Sequence, residues 1–276
     1  MTFFQALQVN PLLLSAVFAG LAASVVSGVI GSYVVVKRIV FISGGIAHSV
    51  LSGIGLSLWL ERAHGLAWIS PLQGALLAAV IAALLIGWVH LQYREREDSV
   101  IAALWSVGMA VGVLFISQTP GFNVELTNFL IGNILWVSPQ DLQILWGLDL
   151  FVLITVFLMH KRFLTICFDE DQARLQGVPV KQLYLVLLVL TAVTIVLLVQ
   201  VVGIILVMTM LTIPPALANL FTARLSRMML IAVVLSFAFS FSGTAIAYQL
   251  DWPAGATIAL LAGAAYVIML PIKRRA

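Results

Sequence analysis

Along most of its length this chain alternates between apolar runs of about twenty residues and short connections that hold nearly all of its charge. An apolar run of that length, wound as a helix at about 1.5 Å per residue, matches the hydrocarbon thickness of a bilayer, about 30 Å. Lipid offers no partners to backbone N–H and C=O groups, so a spanning segment must satisfy them within itself. Composition agrees: 62% of the 276 residues are hydrophobic and only 9% are charged, against about 25% charged in soluble domains. Mean hydropathy is +1.14. The expected fold is an all-α integral membrane protein, a polytopic bundle of eight to nine transmembrane helices forming a single domain over 1–276.

Nine spans are expected, at 12–36, 40–60, 67–91, 99–117, 139–160, 183–201, 202–221, 227–249 and 254–272. The division near 201 rests only on Gln200 and Gly203, so eight spans stays open. The segment 122–137 is apolar but short and interrupted by Gly132 and Asn133, and is expected to be a re-entrant or interfacial helix. Lys and Arg then orient the bundle, because they collect on the cytoplasmic side. With nine crossings and the N-terminus outside, thirteen of the fourteen Lys and Arg residues fall on one side and only Arg62 on the other. That places the chain in the cytoplasmic or inner membrane with the C-terminus in the cytoplasm. No charged leader precedes the first span, so that span is expected to act as its own insertion signal. A single cysteine, Cys167, excludes an internal disulfide.

Several chemistries lack their residues. There is no G-x-x-x-x-G-K-[ST] phosphate loop and no H-E-x-x-H pair. The longest inner connection, from Lys161 to about Gln182, is too short for a catalytic domain. Catalysis in a soluble head is therefore excluded, an intramembrane enzyme is not, and neither a tightly bound cofactor nor a nucleic-acid partner is expected.

Four places could carry function. The connection Phe168–Pro179 reads as a short capped helix. Asp169 is a suitable N-cap, Glu170 and Asp171 suit the positive end of the helix dipole, Gly177 suits the left-handed C′ position and Pro179 stops continuation. It is either a linker lying on the membrane or a docking helix for a soluble partner. In the second span Gly45, Ser49 and Gly53 recur every four residues and permit close helix packing. Beside them His48 and Ser52 form a polar stripe. An imidazole inside a span should face protein or a water-filled path, and it suits borderline metal ions. His48 is either such a ligand or a buried side chain satisfied by a backbone carbonyl. Asp149, mid-way along the fifth span, is a candidate pathway carboxylate. Asp141 instead follows Ser138-Pro139 and reads as part of a helix cap. Last, Thr212-Ile213-Pro214-Pro215 predicts a helix break, either a gate or a helix end at the interface.

These residues, in order along nearly the whole chain, resemble the permease subunit of metal-ion ABC importers of the zinc, manganese and iron class. The resemblance runs through Gly31-Ser32-Tyr33 to Lys37-Arg38, Ile46-Ala47-His48-Ser49, Phe129-Leu130-Ile131-Gly132-Asn133, Phe168-Asp169-Glu170 to Ala173, Gly177-Val178-Pro179, Val202-Gly203-Ile204, Ile213-Pro214-Pro215-Ala216 and Pro253-Ala254-Gly255. It implies a type II ABC importer-like fold and a permease homodimer. The implied partners are two cytoplasmic ATPase subunits and an extracytoplasmic metal-binding protein. It implies that a coupling region at about 163–182, with Asp169, Glu170, Ala173 and Gly177, meets the ATPase. Two positions depart from the family. Gly44 stands where many members carry Asp four residues before the histidine, and Asn133 stands where Asp is frequent. Neighbouring readings are a permease for iron chelates or cobalamin, and an ion-coupled secondary carrier, for which Asp149 is the only suitable intramembrane carboxylate. An intramembrane enzyme finds no paired catalytic motif.

Overall fold

The computed structural model describes residues 3–66, 68–93, 97–121, 129, 132 and 137–273. Among these residues every regular element is a helix: α1 (Phe3–Val9), α2 (Pro11–Val36), α3 (Val40–His64), α4 (Pro71–Tyr93), α5 (Glu97–Gln118), α6 (Pro139–Phe168), α7 (Glu170–Leu175), α8 (Val180–Phe221), α9 (Leu225–Leu250) and α10 (Ala254–Lys273). Eight of them are long and apolar enough to cross a membrane.

Proline and a capping side chain open three of the long helices. Asn10 Oδ1 accepts from the Leu12 N–H at 3.0 Å, so Pro11 stands where a helix cannot use an N–H. Ser70 and Gln73 bond reciprocally ahead of α4, at 3.0 and 3.3 Å. At α6 the Asp141 N–H donates to Ser138 Oγ at 3.1 Å while Ser138 Oγ donates to Asp141 Oδ2 at 2.6 Å. That is the cap expected for Asp141, and it satisfies an N–H that has no partner within the helix.

Two boundaries differ from expectation. α1 was not anticipated; its seven residues lie just before Pro11. α6 continues through Lys161 and Arg162 to Phe168, because no residue before Asp169 breaks a helix. The inner connection is thus shorter than the charges alone suggested. The expected re-entrant segment 122–137 lies outside the described residues except at Phe129, Gly132 and Val137.

α8 is 42 residues long, about 63 Å if straight and twice the hydrocarbon thickness. It is interrupted at Gly203, where φ is 75° and ψ is 162°. That backbone conformation is essentially reserved for glycine. The flanking stretches, 180–202 and 204–221, measure about 34 and about 27 Å, each enough for a crossing. Gly132, at φ 73°, packs on this interruption: a Cβ there would lie 2.2 Å from the Val202 carbonyl carbon. The break expected at Pro214 and Pro215 is absent. The helix runs through both prolines to Phe221. Proline removes an N–H but keeps helical φ, and membrane helices tolerate this when neighbours cover the freed carbonyls. Gly31 of α2 packs closely against one of them: a Cβ there would meet the Leu211 oxygen, freed by Pro215, at 2.5 Å.

The chain forms two compact units. In the first (1–35, 130–158 and 197–276), Phe3, Ala6 and Leu13 pack with Phe241 and Tyr248, holding α1 against α9 through edge-to-face rings 5.6 and 6.0 Å apart. In the second (36–129 and 159–196), α3 lies against α4 and α5 through glycines that admit no side chain.

Candidate functional site

The glycines of the second unit fix the surroundings of His48. A Cβ on Gly53 would lie 2.0 Å from the Gly74 oxygen of α4, and one on Gly108 of α5 would lie 2.8 Å from Ser49 Cα. At Gly45 the nearest atom is Ile101 Cγ2, at 3.0 Å. Gly45, Ser49 and Gly53 thus line the face of α3 that its neighbours approach at backbone distance. Ser49 Oγ donates to the Gly45 carbonyl at 2.8 Å and approaches that of Leu104 at 3.3 Å. The Ser49 hydroxyl thus bonds within α3 and also reaches across to α5.

His48 stands on the adjacent face, half-buried. Its ring stacks on Trp105 of α5, with centroids 4.0 Å apart and planes 17° from parallel. Its Nδ1 is buried without a hydrogen-bond partner. The alternative of a histidine held by a backbone carbonyl at that atom is therefore not what the structure contains. The imidazole is held by an aromatic face and leaves a polar atom unused. Gly44, the position of the departed Asp, is buried on the same helix and contributes no ligand. Among the described residues no cluster of three His, Cys, Asp or Glu side chains could hold a metal ion.

A cavity of about 420 Å³ opens between α3, α4 and α5, lined by Ser49, Ser52, Leu56, Ser57, Leu77 and Val107 among others. The Ser52 and Ser57 hydroxyls donate to the carbonyls of Ser49 and Ile54, at 2.7 and 2.9 Å. The lining is otherwise mostly apolar and does not include His48. The large space and the polar site are distinct.

Asp149 lies on the face of α6 that also buries Leu145 and Val152, and it is 1% exposed. Both carboxyl oxygens lack a partner. One and two turns earlier, Leu145 and Asp141 share a small cavity with Leu197, Gln200 and Val201 of α8. His48 and Asp149 belong to different units, and each is described on its own. Asn133 lies outside the described residues.

The segment 168–179 contrasts with these groups. Asp169 caps α7, accepting from the Gln172 N–H at 2.8 Å. Gly177 has φ 74°. The Val178 N–H reaches the Ala173 carbonyl and the Gly177 N–H that of Arg174, each at 3.0 Å. These are the two bonds of a Schellman termination. Ala173 is fully buried, while Phe168 and Leu175 are 62% and 89% exposed. The segment is seated on one side and presents apolar side chains on the other. Glu170 does more than face the helix dipole. It pairs with Lys37 and lies 3.6 Å from Arg174. Sequence reading singled out neither Lys37 nor Trp105. No local spacing announces a pair 133 residues apart, or a ring brought to His48 by helix packing.

The comparisons with known proteins extend over the same length. A model described as the ABC 3 transport family matches residues 9–273. The chain is 51% identical over 264 residues to the "Probable metal transport system membrane protein" of Chlamydia trachomatis, covering 96% of this chain and 90% of the other. It is 32% identical over 266 residues to the "Manganese transport system membrane protein MntC" of Halalkalibacterium halodurans, covering 96% and 89%. The solved structure of PsaBC from Streptococcus pneumoniae in complex with Fab superimposes with a TM-score of 0.85 at 28% identity, over 96% of this chain and 93% of that one.

Proposed function

The chain belongs to the ABC 3 transport family, and on that premise we propose that it is the membrane permease of an ATP-driven importer of divalent metal ions: zinc, manganese or iron. The observation that carries the reading is His48, an imidazole inside a transmembrane helix with a buried nitrogen that no protein group occupies. A neutral imidazole nitrogen suits these ions. One nitrogen with few neighbours binds weakly, which suits a conduit that must release its cargo. Asp149 is the second pathway candidate, since its two oxygens are equally unoccupied.

In this reading α8 crosses twice, once on each side of Gly203. The positive-inside rule then puts the N-terminus outside and the C-terminus in the cytoplasm, in a cytoplasmic membrane. The α7 segment faces the cytoplasm and its exposed Phe168 and Leu175 meet a separate ATPase subunit. A second permease copy completes the path, and an extracytoplasmic metal-binding protein delivers the ion. ATP-driven closure of the two ATPase subunits moves the α7 segments, and the permease alternates between outward and inward access. No cofactor is retained between cycles.

The test is reconstitution of the permease with its ATPase and binding protein in vesicles. ATP-dependent uptake of zinc, manganese or iron is expected. ATP turnover without uptake of any of the three ions defeats the proposal. Competition by free ion against chelate separates it from a chelate permease.

A further inference from the structure

We propose that Lys37 is the residue through which movement of the α7 segment reaches α3, the helix that carries His48. The inference rests on the permease reading and adds a route to it. Lys37 and Arg38 form the turn between α2 and α3, with Arg38 at φ 62°. So tight a turn has little slack, and a displacement of Lys37 passes directly into the first turn of α3.

The ammonium group of Lys37 has partners on three other elements. It donates to the Ile166 carbonyl at 3.0 Å, in the last turn of α6. It pairs with Glu170 in the first turn of α7. It lies 5.9 Å from the centre of the Tyr184 ring of α8, and that ring packs on His90 of α4 at 4.8 Å between centroids. The first two contacts lie on either side of Asp169, where the chain bends from α6 into α7. The Ile166 carbonyl belongs to the last turn of a helix, whose carbonyls lack intrahelical donors and attract cations. A change in the angle between α6 and α7 must therefore move the ammonium or break one of its bonds.

Burial separates Lys37 from the other basic residues at this end. Its side chain is 13% exposed and that of Glu170 is 30% exposed, whereas Arg38, Lys161 and Arg162 are exposed. Exposed charges suffice to orient helices in a membrane. A charge turned inward, with a carbonyl and a carboxylate on two helices, does something more specific. Screening by salt is also weaker for a partly buried pair, so the link persists at physiological ionic strength.

The experiment uses the complete importer in vesicles and reads metal taken up per ATP hydrolysed. Lys37→Met keeps the length of the side chain and removes the charge. It is expected to lower this ratio by about tenfold, within the usual range of coupling between sites. Lys37→Arg should retain the ratio to within about threefold, and the exchange pair Lys37→Glu with Glu170→Lys should exceed the Lys37→Glu single variant by about threefold. A purely structural tether would reduce assembled complex, uptake and ATP turnover together and leave the ratio unmoved. A ratio for Lys37→Met within about twofold of wild type overturns the proposal. If Lys37→Met fails to assemble, the exchange pair decides, and no recovery overturns it. A wild type that hydrolyses ATP and moves no metal instead defeats the permease reading, and this inference with it.

Discussion

Polar atoms are treated in opposite ways at the α7 segment and in the middle of the long helices. Around α7, Asp169 caps an N–H, Gly177 and Val178 close the last carbonyls, and Glu170 has two cationic partners. Inside the helices, His48 Nδ1 and both oxygens of Asp149 are buried with no partner. A buried polar group left unmatched costs about 1–3 kcal/mol. The charged groups named at α7 are thus matched within the protein, whereas His48 and Asp149 are not, although hydroxyls such as those of Ser49 and Ser52 on the long helices are bonded to backbone carbonyls. The difference assigns two tasks. On the proposed function, the α7 segment holds its shape against a partner, and His48 and Asp149 are met by the ion that passes.

The severest challenge to this comparison is Gly53→Ile. A Cβ at that position lies 2.0 Å from the Gly74 oxygen, so α3 and α4 cannot approach as they do. A cost above about 4 kcal/mol is expected, seen as loss of a monodisperse peak in detergent chromatography. Normal folding would mean that the packing around His48 is not what holds it. Next comes His48→Ala, which should lower ATP-driven metal uptake on the order of tenfold, about 1.4 kcal/mol, with normal assembly. Uptake equal to wild type would make the unpaired nitrogen an accident of packing.

Smaller effects sharpen the contrast. Asp169→Ala removes the α7 cap and should cost about 1 kcal/mol, read as faster amide hydrogen exchange over 170–177. Unchanged exchange would show that the ion pair with Lys37, rather than the cap, orders the segment. Asp149→Asn keeps one oxygen for a passing ion and gives up the ionisable proton. Uptake should change by no more than about twofold, about 0.4 kcal/mol. Complete loss would favour an ion-coupled carrier.

Much of this was legible in the sequence where a residue acts on its neighbours. Span positions followed from apolar length, and the caps at Asp141 and Asp169 followed from spacings of three residues. Gly177 was legible because only a left-handed position at a helix end calls for it there. Legibility failed where the cause lies on another element. Pro214 and Pro215 predict a break when read locally, yet Gly31 of a distant helix packs closely against the carbonyl freed by Pro215 and the helix continues. The interruption falls at Gly203, where the sequence had placed a possible turn, with Gly132 against it. Trp105 against His48, and Lys37 against Glu170, are likewise tertiary facts with no sequence period. The residues themselves pointed to His48 and the family likeness to Gly44 beside it, but neither could reveal the stacking of the imidazole on Trp105.

The caps at Asn10, Ser70 and Ser138 also bear on how such a chain is made. Each secures the first N–H groups of its helix using a side chain no more than three residues away. A helix emerging from the insertion machinery therefore arrives with its leading donors already matched, before any neighbour exists. Only afterwards must glycine find glycine, as Gly53 and Gly74 do between adjacent helices. Biogenesis can accordingly proceed hairpin by hairpin, with the contacts between distant parts of the chain left for last.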